Sequence, residues 1–309
     1  MARQEYEIVI IGGGPAGLAA GLYAARARRS TVLLEKGVIG GQIALTELVE
    51  NYPGILTING FDLAQAMLKQ AEGCGLETQF AETTALEQEG DLWLVRTAGD
   101  EYLAKAVIVT VGADYDKLGV PGEERLTGRG VSYCATCDAA FFKGQNVVVV
   151  GGGDAALDEG LFTTRHVEKA TVIHRRDQLR ASAILQERAF ANPKMEFVWN
   201  TVVTEILGEE AVTGLRLHNR QTGEDSTMDV AAVFIFIGQH PNTDFLRGLI
   251  PTDEGGHALV NDWMETELRG LYVAGDARRN SARQVVSSAG DGATAAIAVE
   301  HYLSSNFPA

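Results

Sequence analysis

Short runs of β-branched and apolar residues recur along the chain, and the clearest of them end in glycine. Glu7 to Ile11 is such a run and predicts a strand. The turn Gly12 to Gly17 follows, and Ala16 to Arg28, rich in Ala and Leu, predicts a helix. Thr31 to Leu34 predicts the next strand, ending at Glu35. Strand, turn, helix and strand make one βαβ unit. The same order returns further on. Asn146 to Val150 predicts a strand, Gly151 to Ala156 a turn, Ala155 to Thr163 the start of a helix, and Ala170 to Ile173 a strand ending at His174. Glu35 lies 23 positions after Gly12, and His174 lies 23 positions after Gly151. One design is written twice, with different residues at the end of its second strand.

Two more strand patterns frame the second copy. Tyr102 to Val111 runs into Gly112-Ala113-Asp114-Tyr115, and Ala231 to Ile237 runs into Gly238-Gln239-His240-Pro241-Asn242. Both glycine-containing stretches read as paired linkers, so the second unit is expected as an insertion into the first. A short strand, Leu271 to Ala274, then Gly275-Asp276 and a small-residue helix from Ser287 to Ala298 return to complete the first unit.

Composition adds limits. A chain of 309 residues fits about two domains. At 46% hydrophobic and 22% charged it has the make-up of a soluble globular protein with ample core. Its net charge of −15 argues against nucleic acid as a partner, because duplex binding needs clustered Lys and Arg. Met1 to Glu7 is polar, and the apolar run after it is too short for a signal peptide or a membrane span. No other window is long enough, so a cytoplasmic protein with no membrane partner is expected. Cys74, alone between glycines, reads as a buried or spectator thiol.

The chemistry lies in three motifs. Gly12-x-Gly14-x-x-Gly17 joins a strand to a helix; its glycines allow a tight turn, approach of a pyrophosphate and close helix packing. The helix N-terminus offers N–H donors and its positive dipole end, and Glu35 would accept from a ribose hydroxyl pair. Gly151-x-Gly153-x-x-Ala156 has the same setting, but its ribose position is His174, followed by Arg175, Arg176 and Arg180. Arginines there would bind a 2′-phosphate that an acid would repel, which favours NADPH over NADH; the plainer alternative is a solvated basic face. Cys134-x-x-Cys137 is the third motif. A structural disulfide closing so short a loop contributes only about 2 kcal/mol. Zinc would need four ligands, and neither a second Cys pair nor a His cluster stands nearby, so no metal site is expected. A c-type haem would need His after Cys137, where Asp138 stands. The redox reading remains. Asp138 either shuttles a proton or caps the following segment; spacing allows both. The Gly275-Asp276 turn either offers N–H donors to a cofactor or is a surface loop.

Taken together, these residues resemble the bacterial low-molecular-weight thioredoxin reductases over nearly the whole chain. The marks are Gly12 to Gly17, Gly40-Gly41-Gln42, Glu50-Asn51-Tyr52-Pro53-Gly54, Cys134-Ala-Thr-Cys137-Asp138, Gly151 to Ala156, His174-Arg-Arg-x-x-x-Arg180, Ala274-Gly-Asp276 and Arg283-Gln284. The resemblance implies an α/β fold of two Rossmann-like (three-layer ββα) dinucleotide-binding domains, the second inserted into the first. Residues 1–115 and 245–309 would bind FAD, and residues 116–244 would bind NADPH and carry the dithiol. FAD would lie on Gly12, Gly14, Pro15 and Ala16, along Glu35, Lys36, Gly40, Gly41 and Gln42, near Asn51, and along Asp276, Arg283, Gln284 and Val285. NADPH would lie on Gly151, Gly153, Asp154 and Ala155, with His174, Arg175, Arg176 and Arg180. Cys137 would face the flavin, Cys134 would attack the disulfide of thioredoxin, and Asp138 would act as acid and base. A homodimer is implied, as is an alternation of the two domains about the crossings at Gly112 to Asp116 and Gly238 to Asn242.

Relatives that serve a peroxiredoxin system would carry an extra N-terminal thioredoxin-like module. This chain opens on its flavin strand, so the module is expected to be absent. Glutathione-reductase types place the dithiol by the first fingerprint, whereas here it stands by the second. Ferredoxin–NADP reductases of similar architecture lack it. A non-enzymatic redox sensor would not turn over NADPH with a disulfide.

Overall fold

The computed structural model describes residues 3–46 and 49–308. Met1 and Ala2 of the polar opening, and the terminal Ala309, lie outside them. The first strand spans Arg3–Ile11, longer than its apolar run. Only Ile8 to Ile11 is buried throughout. The more polar half is held by pairing with Glu101–Val109, in register from Arg3 opposite Glu101 to Ile11 opposite Val109. Backbone pairing, not apolar pattern, sets that strand's beginning.

The chain divides into two compact units, Met1–Asp114 with His240–Ala309, and Tyr115–Gln239. The second crossing falls ahead of the 244/245 boundary expected from the sequence. The physical reason is local: Asn242 N–H donates to Gly112 O at 3.0 Å, which ties residues after 240 to the first unit. Within the second unit, Asp116 N–H donates to Gly238 O at 3.0 Å.

In the first unit, Glu77–Phe80, Thr31–Glu35, Arg3–Ile11 and Glu101–Val109 lie side by side as parallel strands. Leu271–Val273 pairs in parallel with the end of Glu101–Val109, while Leu92–Thr97 and Thr83–Glu89 extend the sheet antiparallel from its beginning. Successive side chains of a strand point to opposite faces. Ile8 and Ile10 accordingly pack with Leu18, Ala20, Ala295 and Val299 of the helices Pro15–Arg26 and Val285–Asn306. Val9 and Ile11 pack with Trp93, Val95 and Tyr102 on the other face.

The second unit repeats the plan. Met195–Val198, Lys169–Ile173, Asn146–Gly151, Ala232–Phe236 and Val131–Ser132 form a five-stranded parallel sheet. Val147 and Val149 face the helix Asp154–Thr163 through Ala156 and Leu157. Val148 and Val150 face Val203, Ile206, Leu215 and Leu217 of an antiparallel sheet built from Thr201–Leu207, Gly214–Asn219 and Asp225–Asp229. Each unit is an α/β body of three layers, Rossmann-like in its parallel strands. Among the described residues no helix is long and apolar enough to cross a membrane.

Candidate active site

The first glycine turn sits where Arg3–Ile11 meets Pro15–Arg26. Gly12 has φ +105°, and a Cβ there would lie 2.5 Å from Thr110 O. At Gly17 a Cβ would lie 2.0 Å from Gly12 O, so the helix can approach the turn only with glycine there. Gly14 differs: a Cβ would meet no protein atom within 4 Å, and no side chain caps the helix behind it. Nothing in the protein requires glycine at position 14, whereas a phosphate drawn up to the bare helix N-terminus would. Glu35 reaches back to the turn, its carboxylate accepting from Gly13 N–H at 2.6 Å and Gly37 N–H at 2.7 Å.

Other residues of the first unit gather near this turn. Gly40 N–H donates to Gly13 O at 2.8 Å, and a Cβ on Gly41 would lie 3.6 Å from Gly14 Cα. Lys36, Gly41, Gln42 and Asn51 are exposed. Gln42 donates to the Asp114 carboxylate at 2.8 Å, and Asn51 to the Gln284 side-chain Oε1 at 3.2 Å. Asp276 accepts from Ser281 and Ser288 hydroxyls at 2.7 and 3.2 Å. The helix Val285–Asn306 comes close because a Cβ at Gly292 would lie 1.9 Å from Ala16 O. That helix starts before the expected Ser287, and Gln284 and Ser287 form a capping box at its N-terminus. The Ser287 N–H of that helix is therefore taken by the Gln284 side chain. Arg283 is exposed with φ 57°.

The second turn has the same frame with another filling. A Cβ at Gly151 would lie 2.4 Å from Phe236 O, while one at Gly153 would meet nothing within 4 Å. No side chain caps the helix Asp154–Thr163. Gly152 is glycine because the His174 ring occupies that space, 2.2 Å from where a Cβ would be. His174 is only 5% exposed, and its Nε2 is buried with no hydrogen-bond partner among the described residues. Burial lowers the imidazole pKa from its ordinary value, opposed by hydrogen bonds to the backbone at Gln178 and Gly151. At the ribose-reading position, then, the side chain supports the turn from beneath. Arg175, Arg176 and Arg180 are exposed. Arg180 is drawn to the turn by its own N–H, which donates to Gly152 O at 2.7 Å. Asp154 accepts from Ser182 N–H at 2.6 Å, and Ala155 is exposed.

Cys134 and Cys137 form a disulfide across the short helix Ala135–Asp138, in the same unit as the second turn. Ser132 holds the entry to it, donating to Cys134 O at 3.2 Å and accepting from Cys134 N–H at 3.1 Å. The Asp138 carboxyl has its pKa raised by burial, moderated by a hydrogen bond from Ser132. Asp138 stands at the N-cap position of the turn Ala139–Phe142, but its side chain makes no cap bond. The capping alternative thus loses its support. Sequence reasoning passed over Glu159. Its carboxylate accepts from Ala135 N–H at 2.9 Å and Thr136 N–H at 3.3 Å. No local signal marks it, since it lies one helix away in sequence. Cys74 is the free cysteine and is partly buried against the first unit's core.

Comparison with known proteins adds the family. A thioredoxin reductase of Bacillus subtilis (strain 168) is 47% identical over 299 residues, covering 96% of this chain and 95% of the relative. One of Listeria monocytogenes is 44% identical over 306 residues, covering 98% and 96%. The crystal structure of thioredoxin reductase from Streptococcus pyogenes MGAS5005 matches with a TM-score of 0.94 at 45% identity, covering 97% of this chain and 99% of that one. Residues 6 to 292 match the model of the family described as pyridine nucleotide-disulphide oxidoreductase. Two glycine turns, a disulfide beside the second and this likeness along nearly the whole chain place the protein in the pyridine nucleotide-disulphide oxidoreductase family.

Proposed function

We propose that the chain reduces the disulfide of thioredoxin with electrons from NADPH, using FAD on the first unit and the Cys134–Cys137 pair on the second. The observation that carries this reading is the disulfide at the N-terminal side of a half-buried Asp138 with a raised pKa, in the unit that bears the arginine-flanked glycine turn. The chain's likeness to proteins named thioredoxin reductase supports the choice of substrate.

The open positions at Gly14 and Gly153 and the uncapped helices behind them fit two dinucleotides. Gly12, Gly14, Pro15 and Ala16 would hold the FAD pyrophosphate; Glu35, with Lys36, Gly40, Gly41, Gln42 and Asn51, would line its ribose side; Asp276, Arg283, Gln284 and Val285 would close the site. Gly151, Gly153, Asp154 and Ala155 would hold NADPH, with Arg175, Arg176 and Arg180 pairing its 2′-phosphate and His174 supporting the turn. Bound FAD would supply hydride acceptance from NADPH and two-electron delivery to sulfur.

The chain's own residues account for the rest. Two electrons and two protons open the disulfide to two thiols. Cys134 as thiolate attacks one sulfur of thioredoxin, forming a mixed disulfide and releasing a thiolate that takes a proton. Cys137 then attacks Cys134 Sγ, re-forming the original bond and freeing dithiol thioredoxin. Asp138, its pKa raised, holds and returns the proton beside the dithiol. Anaerobic addition of NADPH to the purified protein, followed by absorbance, tests the scheme. A flavin spectrum that bleaches with NADPH and recovers with oxidised thioredoxin is expected; protein that takes up no flavin, or bleaches without recovery, overturns it. The same resemblance leads us to propose a homodimer, to be checked by sedimentation.

A further inference from the structure

We propose that Glu159 is a positioning residue that sets the reducing power of the dithiol, an inference that rests on the redox reading of Cys134 and Cys137 given above. Cys134 stands at the N-cap of the helix Ala135–Asp138 and provides no side-chain cap. The N–H groups at such a position would ordinarily stabilise a thiolate on that cysteine and lower its pKa. Here they are already engaged: Ala135 N–H and Thr136 N–H both donate to Glu159 Oε2, at 2.9 and 3.3 Å. The Cys134 sulfur instead has Thr136 Oγ1 at 3.3 Å. Glu159 projects from Asp154–Thr163, the helix that begins at the second glycine turn, so one helix links the proposed nucleotide site and the dithiol.

The consequence follows from charge. Reduction of the disulfide takes two electrons and, near neutral pH, one proton to leave a thiol and a thiolate or two protons to leave two thiols. A carboxylate that holds the helix donors and adds its own negative charge disfavours the thiolate. A dithiol whose reduced form is less stabilised gives up its electrons more readily, the opposite of couples made oxidising by a stabilised thiolate. Among the described residues, the charged groups on this helix and on the helix packed against it are Asp138 on the first and Asp154, Asp158 and Glu159 on the second. Of these, Glu159 accepts from the first two N–H groups of the dithiol helix.

The test uses flavin-loaded protein, without NADPH, equilibrated in dithiothreitol or glutathione redox buffers, with thiols trapped and counted by mass spectrometry. Glu159→Gln keeps an acceptor and removes the charge. It should shift the dithiol–disulfide equilibrium about tenfold towards the dithiol, about 30 mV for a two-electron couple. The pH midpoint of Cys134 alkylation should fall in parallel. Glu159→Ala, which also frees the donors, should shift both further, and it serves if the glutamine variant does not fold; Glu159→Asp should restore most of the wild-type potential. Folded Gln or Ala variants that turn over slowly with wild-type potential and alkylation profile would overturn the inference, because a merely structural role predicts that result. A wild-type protein with no titratable two-electron dithiol couple would instead overturn the redox reading itself.

Discussion

The two glycine turns begin from the same plan and end differently at the residue 23 places on. In the first unit Glu35 turns back over the turn and accepts from Gly13 and Gly37 N–H groups. In the second, the His174 ring lies beneath Gly152, nine-tenths buried, with Nε2 unpartnered among the described residues. A carboxylate can hold backbone donors and still offer lone pairs to a hydroxyl. A buried imidazole cannot reach a ligand in the same way, and in the proposed reading recognition would fall to the exposed arginines that follow. The contrast teaches that matching spacing locates a position, while packing decides whether its side chain faces a ligand or the core.

Four experiments test this difference. The largest effect is expected at the feature the second unit has and the first lacks. Cys134→Ser or Cys137→Ser should reduce thioredoxin turnover to background while leaving NADPH able to bleach the flavin. Retained turnover in either variant would remove the dithiol from the path. Next, the glycines of one turn should divide by role. Gly17→Ala would place a Cβ 2.0 Å from Gly12 O and should cost about 3 kcal/mol or more, seen as a large fall in Tm. Gly14→Ala should leave the Tm of the flavin-free protein close to wild type and weaken flavin binding, measured by the fraction of FAD retained through gel filtration. Equal Tm losses would mean that position 14 is also set by the protein.

Replacing both Arg175 and Arg176 by Ala should raise the KM for NADPH about a hundredfold, the equivalent of about 3 kcal/mol for two charge-assisted contacts, with little change for NADH. Equal use of both nucleotides by the unaltered protein would leave the arginines as a solvated basic face. The smallest effect concerns His174. Burial makes its folded-state pKa lower than the unfolded value of about 6.5. Its stabilising contribution is complete above that value and is lost as pH falls towards the lower folded value. Stability should therefore fall as pH drops from 7.5 to 5.5, and fall less in His174→Gln. Identical pH slopes of Tm for the two proteins would show that the ring is not buried neutral.

Much of the proposed site is legible in the sequence because its constraints are local. Gly12, Gly17 and Gly151 announce a backbone that no side chain can share, and their spacing carried both turns. The Cys134–Cys137 spacing likewise excluded most rivals to a redox pair. The three-stranded sheet beginning at Thr201–Leu207 was harder to see, since its last strand, Asp225–Asp229, has almost no apolar pattern and is held by pairing with Gly214–Asn219. The start of the helix at Val285 was misjudged because its cap, Gln284 with Ser287, is a side-chain arrangement rather than a composition.

What the sequence alone determined is therefore the set of short-range rules: two strand–turn–helix–strand units, glycines where backbone approaches backbone, and a dithiol four residues long. Tertiary structure decided everything that depends on groups distant along the chain. It put His174 under Gly152 and left Arg175 and Arg176 exposed. It set Ala16 against Gly292, and it brought Glu159 to the N-terminus of the dithiol helix. The reason is physical: a residue's type fixes the bonds it can make, but which donors, charges and walls surround it is fixed only when separate elements pack together.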